Sequence, residues 1–331
     1  MTSSPLLPPN SRSPLSSSGG PNPDPEKGPE PNTLTPAIVS DKPPAKRSVW
    51  GKFRRDRMAI FGSLILLSTA IAVVFGPMLY TRSYSDIDFA RSLIAPSMSY
   101  PLGTNDLGQD QLARLLRGGR VSLSVGVTAM AVSISLGTLI GMVSGFCGGL
   151  VDNILMRLTD LFLSLPQLPL LLLIIYLFRD PMRNLVGPEL GIFLLIILVI
   201  GGLTWMSTAR LVRAGFLAVK ERTFVQAAQS LGAHPIRIVW RHILPNVIGP
   251  VIVAATLGVG NAIITESTLS FLGIGFPPDV PTWGRMLFDA QNYIVAAPHL
   301  VIFPGLAIFL TVLSVNYVGD GLRDALDTRS Q

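Results

Sequence analysis

Stretch after stretch of this chain is apolar over close to the ~20 residues that a helix needs to cross the hydrocarbon layer of a bilayer. No other feature restricts the fold as strongly. Inside lipid every backbone N–H and C=O must find its partner within the protein, and a helix meets that demand within one segment. Composition agrees. Of the 331 residues, 49% are hydrophobic and 14% are charged, against roughly 25% charged in soluble domains. The chain is therefore expected to be an all-α polytopic membrane protein.

Six spans are expected: Met58 to Tyr80, Val121 to Phe146, Val151 to Phe178, Leu190 to Val212, Val247 to Leu269 and His299 to Tyr317. Pro166 and Pro169 should kink or break the third. Gly137, Gly141 and Gly145 recur at four-residue spacing in the second, which lets another helix approach its backbone closely.

Lysine and arginine accumulate in cytoplasmic loops, so their placement orients the spans. Lys42, Lys46, Arg47, Lys52, Arg54, Arg55 and Arg57 precede the first span, opposed by Asp41 and Asp56. This puts the N-terminus inside. In or beside the segment after the fourth span, Arg210, Arg213, Lys220, Arg222, Arg237 and Arg241 stand against the single acid Glu221. That segment is also internal, and the count of spans brings the C-terminus to the same side. The net charge of +6 is thus accounted for by topology, and a nucleic-acid partner is not expected.

Residues 1–49 hold twelve of the 27 prolines and no aromatic residue before Trp50. Such a segment cannot bury enough apolar surface to offset its chain entropy, and a disordered cytoplasmic tail is expected. It lacks the apolar core and cleavage site of a signal peptide. Residues 50–119 would form the first span with an external segment, and 120–331 the transmembrane core. Cys147 is the sole cysteine, so no internal disulfide can form.

The polar segment between the fourth and fifth spans stands out. Phe224, Ala227, Ala228 and Leu231 recur at helical spacing, and Gly232 can take the left-handed conformation that ends a helix. Pro235 suits the first turn of a second helix, and Leu244-Pro245 should break the chain before the fifth span. Periodicity alone leaves two readings open: a docking knob for a partner, and an amphipathic loop on the lipid surface.

Gln226-Ala227-Ala228, Gly232 and Leu244-Pro245 resemble the EAA loop of ABC importer permeases in residues and spacing, with Gln226 where that family usually carries Glu. Tyr100-Pro101-Leu102-Gly103-Thr104 followed by Leu107-Gly108-Gln109-Asp110 is similar to the H-P-L-G-T-D-x-x-G-R-D pattern of C-type dipeptide/oligopeptide permeases. Here Tyr100, Asn105 and Gln109 depart. Glu266 to Gly273, Pro281-Thr282-Trp283-Gly284 and Asp320 to Asp327 resemble three further motifs of that family, in the same order.

The resemblance implies a type I ABC importer permease fold in the bacterial cytoplasmic (inner) membrane. Its partners would be a B-type permease as heterodimer mate, two cytoplasmic ATPase subunits and an external solute-binding protein. Residues 213–245 would be the ATPase-coupling loop, with Phe224, Gln226, Ala227, Ala228, Leu231, Gly232, Pro235, Leu244 and Pro245 carrying it. ATP and Mg would be bound by the partner ATPases. The sequence has no G-x-x-x-x-G-K-[ST] phosphate loop, so the chain itself is expected to be non-catalytic, without a cofactor of its own. Short peptides are the implied cargo, with nickel complexes or another small solute as the alternative. A secondary transporter is a distant rival, because no internal repeat is evident. An intramembrane enzyme is a second, and neither H-E-x-x-H nor G-x-S-x-G is present.

Two polar residues in the fifth span, Asn261 and Glu266, are candidates for the pathway or a gate, since ionisable residues inside spans usually face the bundle interior or a wet cavity. The alternative for Glu266 is an interfacial carboxylate bonded to a neighbouring helix or loop. Asp152 and Asp160 are expected near the headgroups with Arg157 close by. Trp283 is expected to anchor its external loop at the membrane interface or to touch the binding protein. His234, His242 and His299 are dispersed and show no metal-ligand spacing.

Overall fold

Asp56 opens the first long helix by accepting from the N–H groups of Met58 (2.9 Å) and Ala59 (3.3 Å), a side-chain cap that satisfies donors with no partner inside the helix. The computed structural model describes residues Val49 to Leu326. The expected tail over residues 1–48, and Asp327 at the end of the last motif, lie outside the described residues. Among the described residues all regular elements are helical, and the one β contact is an isolated bridge between Thr104 and Asp110.

The helices are α1 (Val49–Phe53), α2 (Arg57–Leu79), α3 (Gln111–Cys147), α4 (Gly149–Ser164), α5 (Gln167–Val186), α6 (Pro188–Gly202), α7 (Trp205–Lys220), α8 (Thr223–Ser230), α9 (Pro235–Ile238), α10 (Leu244–Phe271), α11 (Trp283–Ala290) and α12 (His299–Leu326). By length and composition α2, α3, α9 joined to α10, and α12 can each cross a membrane. The pairs α4–α5 and α6–α7 bring the number to six if each counts as one span.

Those two pairs are bent, by 89° and 41° respectively. The expected third span is therefore not straight. Leu165 precedes Pro166 and is extended (φ −79°, ψ 138°), because the proline ring clashes with a helical residue before it. The fourth span bends after Gly201-Gly202 and then runs on to Lys220, beyond the expected end at Val212. Likewise α3 starts at Gln111 rather than near Val121, since Asp110 caps it by accepting from the Ala113 N–H at 2.9 Å. The last helix continues past Tyr317.

The central element is α3, which packs on α2, α6, α7 and α10. Its glycine stripe does what the spacing predicts. A Cβ on Gly137 would lie 2.6 Å from the Trp205 carbonyl oxygen, one on Gly141 2.4 Å from that of Ala209, and one on Gly145 3.0 Å from that of Arg213. Helix α7 lies against the bare backbone of α3, which maximises dispersion contact where no hydrophobic force drives helices together.

Two ion pairs then tie α4 to α7. Asp152 takes a bidentate contact from Arg213 (2.5 and 2.6 Å) and a hydrogen bond from the Ser144 hydroxyl. Asp160 takes Arg210 at 2.5 Å. Both acids thus find their partners on α7, which crosses beside α4.

Two prolines inside helices receive help from α3. Pro77 in α2 has no N–H, so the carbonyl of Val73 four residues earlier loses its helical donor. The Arg120 Nε donates to that oxygen at 2.9 Å, and its Nη2 donates to the Val74 carbonyl. Pro304 in α12 leaves Leu300 in the same position, and the Gln111 Nε2 reaches its carbonyl at 3.4 Å.

The described chain ends meet at one end of the bundle. A Cβ on Gly321 would fall 2.3 Å from Ala59 Cβ, and Leu326 lies beside Gly249 at the start of α10. The C-terminus of α3 and the α8–α9 segment lie at this same end, since Gly145 touches Arg213 and Phe216 late in α7.

Candidate functional site

At that end α8 and α9 form two short helices around a turn. Gly232 has φ +75°, the left-handed conformation expected for it. The Gly232 N–H donates to the Gln229 carbonyl, and the Ala233 N–H reaches back to Ala228 at 3.1 Å, a closure that satisfies carbonyls orphaned at a helix end. Pro235 opens α9, where the His234 Nδ1 caps the Ile236 N–H.

The side chains sort cleanly. Phe224 (45%), Leu231 (88%), Ile236 (64%) and Trp240 (60%) are exposed. Gln226 and Ala227 are exposed as well, and Ala228 is half-buried. The anchor is a residue the sequence reading passed over. Val225 is fully buried, and with Ile238, Val239 and Ile243 it packs on Val212 and Phe216 of α7 and on Val247 and Val251 of α10. Val225 and Ile238 are separated by a glycine turn, so their spacing carries no period that would have revealed the pair.

Leu244 and Pro245 do not break the chain as expected. Residues Val239–Ile243 form a π-turn that leads from α9 directly into α10. Pro245 then sits in the first positions of α10, where its missing N–H has little cost, so the backbone stays helical. Gln226, in place of Glu, donates to the Glu221 carbonyl at 3.4 Å.

Both helices that carry this knob also line an open cavity of about 630 Å³, together with residues of α3, α4 and α5. Gln167 of α5, Ser207 and Thr208 of α7, and Asn261 and Thr265 of α10 contribute its polar lining, among apolar residues such as Met130 and Leu257. Asn261 is exposed into it.

Glu266 is elsewhere. It is completely buried and accepts from the Ser122 hydroxyl of α3 (3.1 Å) and the Ser270 hydroxyl (2.8 Å). Ser122 in turn accepts from the Trp283 N–H at 3.2 Å. The carboxyl group therefore knots α10, α3 and α11 together, and the structure does not bring it to the cavity with Asn261.

The end opposite the knob is built from residues 80–110 and 272–298. Trp283 is 1% exposed and donates its indole N–H to the Leu115 carbonyl at 3.1 Å. It lies inside the fold rather than at an interface, because α11 packs between α10 and α12 and against α3. Gly284 makes this possible: its Cβ would lie 2.5 Å from the Ser267 Cα and carbonyl oxygen.

Gly108 (φ +74°) lets its backbone pass Asp88, whose carbonyl oxygen would lie 1.9 Å from a Cβ there. Asn105 and Gln109, two of the departures in this motif, face each other: the Asn105 Nδ2 donates to the Gln109 Oε1 at 2.8 Å. That oxygen also accepts from Arg114 at 2.6 Å, and Arg114 continues to Asp289, which Arg285 shares.

Residues 137–331 match the family described as binding-protein-dependent transport system inner membrane component. Residues 46–111 match the N-terminal TM domain of oligopeptide transport permease C. The dipeptide transport system permease protein DppC of Alkalihalophilus pseudofirmus is 36% identical over 301 residues, covering 91% of this chain and 95% of its own. The glutathione transport system permease protein GsiD of Pectobacterium atrosepticum is 36% identical over 284 residues, covering 86% and 91%. A solved inward-facing structure of the MetNI methionine ABC transporter aligns with TM-score 0.51 at 18% identity, over 64% of this chain and 96% of that one. That last likeness concerns the fold.

Proposed function

This chain belongs to the family of inner membrane components of binding-protein-dependent transport systems, and from that premise we propose that it is a permease subunit of an ATP-driven importer of short peptides. The names of two relatives, one for dipeptides and one for glutathione, support that cargo class. A second permease would complete the pathway, two ATPases would dock beneath, and an external binding protein would deliver the peptide. ATP and Mg belong to the ATPases.

One observation carries the reading. The α8–α9 knob and the π-turn after it leave Phe224, Leu231, Ile236 and Trp240 exposed while Val225 and Ile238 fasten the knob to α7 and α10. Exposed apolar side chains on a well-anchored element mark a partner's seat. Closure of an ATPase pair around the knob would bias the bundle between inward-open and outward-open arrangements. Arg54, Arg55, Arg57, Lys220, Arg222, Arg237 and Arg241 all belong to the knob end, which supports a cytoplasmic position for it and for both described termini in the inner membrane.

The test is co-purification. A Cβ at Gly232 meets nothing within 4 Å, but its φ of +75° strains any side chain, so Gly232→Asp alters the seat together with about 1–2 kcal/mol of backbone strain. It and Ala228→Asp are expected to insert into the membrane yet lose the ATPase and peptide uptake. Full retention of both in either inserted variant refutes the docking role.

A further inference from the structure

The foot of α2 gathers positive charge. Lys52, Arg54, Arg55 and Arg57 stand there against Asp56, whose carboxylate is taken up in capping α2. Arg54, Arg55 and Arg57 are exposed. Among the described residues they form no ion pair with Asp56, nor with Asp320 and Asp324 of the adjoining α12.

An ordered aromatic step lies beside these cations. Phe53 packs on α12, its Cε2 3.2 Å from where a Cβ on Gly321 would lie. Trp50 stacks on Phe53, with ring centroids 5.9 Å apart and planes 8° from parallel. The Arg54 guanidinium lies 5.4 Å from the Trp50 ring centroid. Trp50 is nonetheless 62% exposed. An indole held in place with most of its surface bare fits the edge of a bilayer, where its apolar body and its N–H meet different media.

The helix above continues the same surface. Arg57, Phe61, Leu64, Ile71 and Phe75 recur at helical spacing, and all are exposed. A cation thus heads an apolar stripe that runs along the span. Helix α2 packs on α12 and α3, and it contributes no residue to the cavity that Asn261 lines. A phosphate on an acyl chain has the same order of parts: an anionic head, then an apolar tail. Guanidinium groups pair with phosphate through forked N–H donors.

Resting on the inner-membrane placement above, we propose that Arg54, Arg55, Arg57 and Trp50 form a headgroup site for anionic phospholipid, with an acyl chain laid along Phe61, Leu64 and Ile71. Because α1 packs on α12, a lipid seated there steadies the end of the bundle that carries the knob.

The experiment uses lipids with brominated acyl chains, which quench a tryptophan they touch. The full-length chain, alone and assembled with its partner subunits, is placed in nanodiscs containing graded fractions of brominated phosphatidylglycerol or brominated phosphatidylcholine. The difference between wild type and Trp50→Phe isolates the signal of Trp50. Each cation near an anionic surface is worth about fivefold in binding. Arg57→Gln should therefore lower the preference for phosphatidylglycerol about fivefold, and replacing Arg54, Arg55 and Arg57 together by Gln should lower it at least tenfold, on the order of the same increments. A salt series on the wild type decides the matter if the variants fail to insert. Between 0.1 and 1 M salt the screening length falls from about 10 to 3 Å, and most of the preference should vanish. A preference unchanged by the substitutions or by salt overturns the inference, as does a Trp50 that neither brominated lipid quenches. Quenching that disappears on assembly also overturns it, since a partner subunit then covers the surface. Failure to assemble with the ATPases counts against the proposed function instead, and the chain alone still tests the lipid site.

Discussion

Arg120→Leu should destabilise the bundle in a way that depends on a proline in a different helix. The Val73 carbonyl has no helical donor because residue 77 is proline, and the Arg120 Nε fills that gap at 2.9 Å. Removing the guanidinium orphans a carbonyl on a residue that is 4% exposed. Leaving such a group unsatisfied costs about 1–3 kcal/mol. The neighbouring Val74 carbonyl contributes less, since Met78 can still donate to it within α2. Pro77→Ala restores a donor for Val73, so in that background Arg120→Leu should cost less by about 1 kcal/mol or more. The interaction energy of the double-mutant cycle is the readout, taken from SDS- or heat-induced unfolding of the purified protein in lipid bicelles. Equal costs of Arg120→Leu in the wild-type and Pro77→Ala backgrounds would refute the reasoning, because the arginine would then be acting through something other than the proline's missing N–H.

Two other perturbations follow from the same geometry. Val225→Asp buries a charge at a fully enclosed position between α7 and α10; the α8–α9 knob should detach, seen as rapid proteolysis near Gly232, whereas Leu231→Asp at an 88% exposed position should leave the digestion pattern intact. Glu266→Leu should cost about 1–3 kcal/mol for each hydroxyl left without its acceptor, those of Ser122 and Ser270, while Glu266→Gln, which still accepts at one oxygen, should lose less in the same unfolding assay.

The spans were legible because apolar length is a one-dimensional signal, and the knob because glycine and proline mark helix ends by local sterics. The Gly137, Gly141 and Gly145 stripe announced a close neighbour, although not that α7 would be it. What stayed hidden depends on contacts distant in sequence. Trp283 looks like an interfacial anchor until α11 packs into the bundle and the Leu115 carbonyl takes its N–H. Asp152 and Asp160 have a cationic residue, Arg157, nearby in sequence, but their partners lie on α7. Asn261 and Glu266 are five residues apart on one helix, which turns them toward different surroundings: one meets the cavity and the other a three-helix knot. Leu244-Pro245 reads as a stop, and only the π-turn before it shows how the helix proceeds through the proline.

The helical run from Pro235 to Phe271 makes a beam of about 55 Å, at ~1.5 Å per residue. A see-saw tilt of about 5° around its midpoint swings the two tips some 2 Å in opposite senses, by the same rise. The π-wound turn lies next to the tip that a partner would grasp, and Pro250 lies further along. A stroke applied at the knob would then reach the far end of the beam less whatever bending these two places take up.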